Sequence, residues 1–370
     1  KPLTSKSQWL QVLHSGFLLG LGPMGCGSSA SARHKASPSA AVAGTASGEV
    51  AAATPASKPA SASKNEAFVF VKPNALSAAF QALVRQTLQA AGITILFEGD
   101  LMGDIVDERK LVDQHYYSIA SKATLLKPRE LNVPKEKFKQ FAGEEWDDVL
   151  ASGRAYNATD ACEYLGVDVQ GLDTLWQQAK DGGSDWVKLG GGFQCARLAV
   201  EGKEAIFAFN GFFMSMRAKF TQPGPSIHYY VVEWDPAVLA WADFRGKLLG
   251  ATDPAEADTG SLRGRAFADW EALGLAARPW IGENGVHASA SPVEALAERC
   301  NWLARTLEED NFGRRLLAAG APRAMVEAWR RDPQLVVADG GRLGSLFDQL
   351  EDLDCDACVQ KCLELMKLQT

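Results

Sequence analysis

The chain has 370 residues, 46% of them hydrophobic and 22% charged, with ten tryptophans to anchor cores; that is enough for two domains, or for one domain carrying a large insertion. Its net charge is -7, and no basic stripe lies beyond the N-terminal segment, which argues against duplex nucleic acid as a partner because such binding needs Lys and Arg to displace condensed counterions. Nucleotides stay open as ligands, since a few well-placed cations suffice for them.

The N-terminal segment, residues 1–65, opens with an apolar run from Trp9 to Leu21 that is too short to span a membrane and is interrupted by His14. Met24-Gly25-Cys26-Gly27-Ser28-Ser29 follows. With Met24 as the start, it fits the N-myristoylation pattern at Gly25, and Cys26 is a natural palmitoylation site. One acyl chain binds a membrane only marginally and two bind stably, so the adjacent pair is the meaningful combination. Two other readings stay open: a cleaved organelle leader, since no acidic residue precedes Glu49, and a plain cytosolic tail. The expected location is therefore cytoplasmic, with or without a membrane tether, or an organelle. Residues 30–64, an Ala/Ser/Pro/Lys linker, have almost nothing to bury and read as disordered.

Order is expected from Glu66. Phe68-Val69-Phe70-Val71 reads as an apolar strand ending in Lys72-Pro73-Asn74, and Phe80, Leu83, Val84 and Leu88 recur at helical spacing after a cap at Asn74 or Ser77. Gly92 closes that helix, Ile93 to Glu98 form a strand, and Asp107 to Tyr117 read as a helix. Residues 126–204, with Trp146, Trp176, Trp186 and turn-like glycine runs, look like an inserted block of short helices with a hairpin-like end. Gly190-Gly191-Gly192 lacks the Lys-Ser/Thr of a phosphate-cradling loop and reads as a turn. Further on, the pattern predicts a helix over 205–220, a strand over 227–234, a short helix over 236–244, loops over 250–285, a strand edge at 285–289 and a helix from Pro292 to Leu307. Without the block this is β-α-β-α-(α)-β-α-loop-β-α, an α+β fold of the ferredoxin-like split βαβ kind, an antiparallel sheet with helices packed on it. The domains read as a disordered 1–65, a catalytic-size unit over 66–310 interrupted at about 126–204, and a C-terminal helical extension over 311–370. Seven cysteines form no disulfide framework and read as reduced thiols. Cys355, Cys358 and Cys362 share one helix face, better suited to packing than to a metal, for which a fourth ligand is missing.

No Walker motif, protein-kinase set or Gly-x-Ser-x-Gly elbow is present. What stands out is Asn284-Gly285-Val286-His287-Ala288-Ser289-Ala290-Ser291, with Glu298 on the following helix. A histidine at a strand edge and a carboxylate reaching back to it is the usual way of aiming a nucleophile. His115 and His228 read as structural.

This segment resembles the Asn-x-x-His-Gly-Ser-Asp-Ser signature of nucleoside diphosphate kinases, with Ala288 for Gly and Ala290 for Asp. Other family marks follow in order: Phe70-Val71-Lys72-Pro73-Asn74, His115-Tyr116, Gly224-Pro225, Leu249-Gly250-Ala251-Thr252-Asp253-Pro254, and Gly260-Ser261-Leu262-Arg263-Gly264. The resemblance covers about 66–125 and 205–307, and neither the tails nor the block between. It implies a phosphotransferase in which His287, supported by Glu298, takes the γ-phosphate of a nucleoside triphosphate and passes it to a diphosphate. Lys72, Tyr116, Lys122, Thr252 and Arg263 would hold phosphates, and Asn284 the ribose and bridging oxygen. Mg²⁺ would arrive with the nucleotide, not in a protein cage. Three positions depart from the pattern: Lys122 stands for an arginine, a second phosphate arginine falls at Arg245, offset by one, and the aromatic that should sandwich the base lands near Thr124. The family loop that joins subunits is lengthened over 265–279, so a homo-oligomer is left open. The rival reading is a catalytically silent interaction module of the same fold.

Overall fold

A computed structural model describes residues 63–369, except for position 339; Gly25 and Cys26 lie outside the described residues. Its strands are β1 (Asn65–Val71), β2 (Thr94–Met102), four shorter strands β3 (Ala155–Asn157), β4 (Trp186–Gly190), β5 (Phe193–Leu198) and β6 (Ile206–Phe209), then β7 (Pro225–Trp234), β8 (Val286–Ala288) and a closing hairpin of β9 (Gln334–Ala338) and β10 (Arg342–Ser345). Among the described residues no helix is long and apolar enough to cross a membrane.

The main sheet runs β2-β7-β1-β8 and every pairing in it is antiparallel. β1 is buried along its whole length. Phe68 and Phe70 feed one core while Ala67, Val69 and Val71 feed the other, which is why its apolar run carries no polar alternation. The second core is covered by the helix Ala78–Ala90 through Phe80, Leu83, Val84 and Leu88. Ser77 caps that helix, its side chain accepting from the Phe80 amide. This is the ferredoxin-like arrangement expected from the order of elements.

A smaller sheet, β3-β6-β5-β4, lies between the two halves of the main sheet in chain order. One side of it packs Phe138, Trp146, Phe207 and Phe209. Its other side shares a continuous core with the main sheet through Ala158, Ala161, Leu172 and Trp176. Asn210, in left-handed backbone at φ 50°, ties the smaller sheet to the helix Tyr117–Ala120. Its amide donates to the carbonyls of Ile119 and Gly192, each at 2.9 Å.

The structure corrects several local expectations. Residues 205–220 hold β6 before a helix begins at Phe212: Ile206-Phe207-Ala208-Phe209 is too short to show periodicity, and partners on both sides decide for strand. The helix expected over 107–117 is two short ones, Gly103–Glu108 and Leu111–His115, broken where Lys110 turns left-handed at φ 54°. The short helix expected over 236–244 starts only at Trp241 and runs on in a wider coil to Leu249. The C-terminal extension is not wholly helical, since β9 and β10 pair within it. Cys355, Cys358 and Cys362 are all buried on the helix Cys355–Lys367, packed among Leu346, Val359 and Leu365.

The C-terminal unit is bolted to the sheet by charge. Arg299, fully buried on the helix Pro292–Trp302, donates from Nε and Nη2 to the two oxygens of Asp310 at 2.6 and 3.0 Å, and from Nη1 to the Glu66 carbonyl at 2.9 Å. The Asp354 carboxylate accepts from the Asn65 amide at 2.6 Å and from the Trp241 backbone at 2.8 Å.

Candidate active site

Register places the histidine. β8 pairs with β1 so that His287 lies opposite Phe70, and the Lys72 backbone amide donates to the Gly285 carbonyl at 2.9 Å. The Phe70 ring lies 4.7 Å from the imidazole. Gly285 makes the bend into β8 at φ 81°, a conformation that disfavours any side chain there.

From the next helix, Glu298 reaches back and bonds His287 Nε2 at 2.7 Å through Oε1. Its Oε2 accepts from the Ser289 hydroxyl at 2.6 Å. The carboxylate is 3% exposed, so it holds the ring without competition from water. A proton on Nε2, shared with Glu298, leaves the lone pair on Nδ1. His115, read from sequence as structural, stands in the same cluster: its ring is edge-on to His287 at 4.8 Å, and its Nδ1 is 3.5 Å from Glu298. Trp302 donates to that Nδ1 at 3.3 Å.

Arg263 approaches from the other side. Sequence places it in a loop; it sits instead in the first turn of the helix Leu262–Ala268, capped by Ser261, whose hydroxyl accepts from the Gly264 amide. A Cβ on Gly264 would lie 2.0 Å from the Asp258 carbonyl, so the helix start packs this tightly only because that residue is glycine. The guanidinium donates to the Gly250 carbonyl at 2.8 Å and to the Val286 carbonyl at 3.1 and 3.3 Å. Among the described residues it meets no carboxylate, and two of its five N–H groups remain after these bonds. Burial, and next the charge of Arg245, pull its pKa down to about 9, which still leaves a cation at neutral pH. Arg245 itself is held by Glu351 at 2.9 Å and Asp352 at 2.6 Å, from the C-terminal extension.

Lys72, 6% exposed, has its pKa lowered to about 7 by burial and then by Arg263, with Glu283 opposing. A bound phosphate would restore the charged form, so binding should take up a proton above about pH 7. Diphosphate affinity is therefore expected to fall by up to about tenfold per pH unit above 7. Lys72→Arg, charged throughout, should flatten that profile; calorimetric Kd values across the range check it.

Asn284 donates to the Thr252 carbonyl at 3.0 Å, and its own Oδ1 is buried with no partner among the described residues. Tyr116 is buried beside His115, and burial, with Glu298 and Glu294 behind it, holds the phenol's pKa far up, so it remains a donor. His287, Glu298, Lys72, Arg263, Asn284, Thr252 and Tyr116 thus gather around residues 284–287. Lys122 does not join them: its ammonium donates to the Ser118 carbonyl at 2.6 Å and lies 5.5 Å over the Phe193 ring, away from the cavity.

That cavity, of about 250 Å³, runs from Lys72, Asn74 and Tyr116 to Phe212, Trp280 and the helix Val169–Gly182. Thr124, where sequence places the base-stacking aromatic, is turned inward to bond Asp113 at 2.5 Å. Aromatic side chains that do line the cavity include Phe212 and Trp280, with Tyr116, Trp176 and Phe220. Phe212 was missed because 126–209 separates it from Tyr116; its signal was the Asn210-Gly211-Phe212-Phe213 turn. A Cβ on Gly211 would lie 2.4 Å from the Trp176 ring, so glycine lets the chain cross that tryptophan and start the helix Phe212–Phe220 at the cavity wall.

A carboxylate-steered imidazole stands on a four-stranded antiparallel sheet with a buried lysine and a buried arginine beside it, side chains of the type that suits phosphate groups. Over 111 residues the chain is 33% identical to a nucleoside diphosphate kinase of Brucella melitensis, a match spanning 30% of this chain and 67% of that one. The chain belongs to the nucleoside diphosphate kinase family. Among solved structures it is similar to nucleoside diphosphate kinases from Encephalitozoon cuniculi (13% identity, TM-score 0.32, covering 65% of this chain and 90% of that one) and Pyrobaculum aerophilum (19%, 0.33, 67% and 98%). A comparison with family models finds no match.

Proposed function

We propose that the protein transfers the γ-phosphate of a nucleoside triphosphate to a nucleoside diphosphate through a phosphohistidine at His287. The observation that carries this is Arg263: a guanidinium drawn into the site, satisfied by two carbonyls and no carboxylate, with donors left over. A buried cation without an anion is costly, and a phosphate group is the partner its planar fork suits. In the transfer, the bond from the γ-phosphorus to the bridging oxygen breaks, and its electrons leave with the diphosphate. A phosphorus–Nδ1 bond forms, while the Nε2 proton stays in place against Glu298. An acceptor diphosphate then binds where the first product left, and its terminal oxygen takes the phosphoryl group by the reverse path. Lys72 and Arg263 neutralise the equatorial charge and the Tyr116 hydroxyl donates to it; the buried Asn284 Oδ1 accepts from a sugar hydroxyl; Phe212 gives the base a flat apolar surface. Magnesium enters as part of the triphosphate substrate.

The test is brief incubation of the parent chain with γ-labelled ATP, followed by peptide mapping. Acid-labile, base-stable label on the peptide carrying His287 supports the reading. Absence of label favours the silent interaction module, for which the displacement of Lys122 and the pairing of Arg245 with Glu351 and Asp352 speak. Glu298→Gln is expected to slow turnover by about 10- to 100-fold, the worth of a charge-assisted hydrogen bond. Its amide can also turn its N–H toward Nε2 and force the wrong tautomer, so a rapid-quench measurement should find the phosphorylation half-reaction slowed.

A further inference from the structure

The helix Val169–Gly182 forms one wall of the cavity, and what it presents there is more polar than stacking alone requires. Asp173, Gln177 and Lys180 stand four and three positions apart and so share one face. The Ser215 hydroxyl donates to Asp173 Oδ1 at 3.1 Å and sets that carboxylate's orientation from the helix that carries Phe212. Among the described residues, Oδ2 of Asp173 takes no hydrogen bond. Trp176, buried with its ring 6.1 Å from that of Phe212, fixes this helix against the stacking surface. Asp173 is therefore held on the cavity wall by the helix that carries Phe212.

We infer that this wall reads the base and selects guanine nucleotides; the inference rests on the proposal above that the cavity holds a nucleotide. A carboxylate at a base edge asks for adjacent donors, and guanine alone among the common bases presents two, N1–H and the exocyclic amino group. Adenine sets an acceptor nitrogen beside its single amino group, cytosine does the same, and uracil flanks its one N–H with carbonyl oxygens; each would bring a lone pair against Asp173. Gln177 lies one turn further along, with Cβ atoms about 5–6 Å apart at that spacing. That separation suits an amide N–H donating to the guanine carbonyl oxygen while Asp173 accepts from the amino side. Lys180 adds a second donor beyond it.

The experiment measures binding of GDP, ADP, UDP and CDP to the full chain by calorimetry, with Asp173→Asn and Gln177→Ala beside the parent. The parent is expected to bind GDP about 5- to 100-fold more tightly than the other three, the range of one bidentate base contact. Asp173→Asn should remove most of that margin by weakening GDP alone, and Gln177→Ala should narrow it in the same selective way. Equal affinity of the parent for all four overturns the inference and leaves the phosphotransfer reading standing. A loss in Asp173→Asn that falls equally on every nucleotide overturns it too, since that marks a structural role. If the parent binds no diphosphate at all, both readings fall together.

Discussion

Replacing His287 by alanine is expected to abolish labelling and to cut phosphotransfer by about 10⁴-fold or more, because removal of a nucleophile leaves only binding and electrostatics. Glu298 holds Nε2 at 2.7 Å and is itself held by Ser289, so the ring is fixed in direction at this strand edge. Among the described residues His115 is the neighbouring imidazole, but Trp302 donates to its Nδ1 and its side chain is only 1% exposed. A coupled assay of the alanine variant decides the matter. Residual turnover within tenfold of the parent would mean that His287 is not the group that carries the phosphate. Because the side chain packs on Phe70 and pairs with a buried carboxylate, thermal unfolding should be recorded alongside, so that lost activity is read on folded protein.

Arg263→Ala carries the second largest expected effect, a fall in kcat/KM of about 10²- to 10³-fold. Its guanidinium is anchored by the carbonyls of Gly250 and Val286, so two donors are fixed in direction before any substrate arrives. Pre-oriented donors act mainly on the charge that spreads over the equatorial oxygens, and the loss should appear chiefly in kcat. Arg263→Lys should recover little, since an ammonium cannot hold two carbonyls and present two parallel donors at once. Recovery by lysine to near parental kcat would show that charge alone, without geometry, is what the site uses.

How much of this was legible beforehand depended on distance along the chain. His287, Ser289 and Glu298 lie within one strand–turn–helix, so their spacing alone predicts the contact that the structure contains. Lys72 was legible for a related reason: the residue after a buried apolar strand emerges at the sheet's end. Lys122 and Thr124 were not, because the coil around them turns inward toward Ser118 and Asp113, and which side chain meets the cavity is settled by the smaller sheet packed against it. Phe212 was hidden by the same segment. Arg263 does lie against the strand that carries His287, but in a helix and not a loop, since a helix bounded by glycines shows little periodicity. β6 failed for want of length: four apolar residues become a strand only when β3 and β5 come to flank them.

Arg299 has a consequence for anyone seeking the smallest active piece of this chain. Asp310, which with Glu66 balances this fully buried guanidinium, lies just past the helix that carries Glu298, so a truncation at the apparent end of the family-like region would strip away the carboxylate that holds it by two hydrogen bonds. The vacated pocket would have to admit water or expel the arginine, and either change shifts the helix on which Glu298 rides. The C-terminal unit is thus part of what keeps Glu298 set against His287, though it contributes no atom to the cavity beside Phe212.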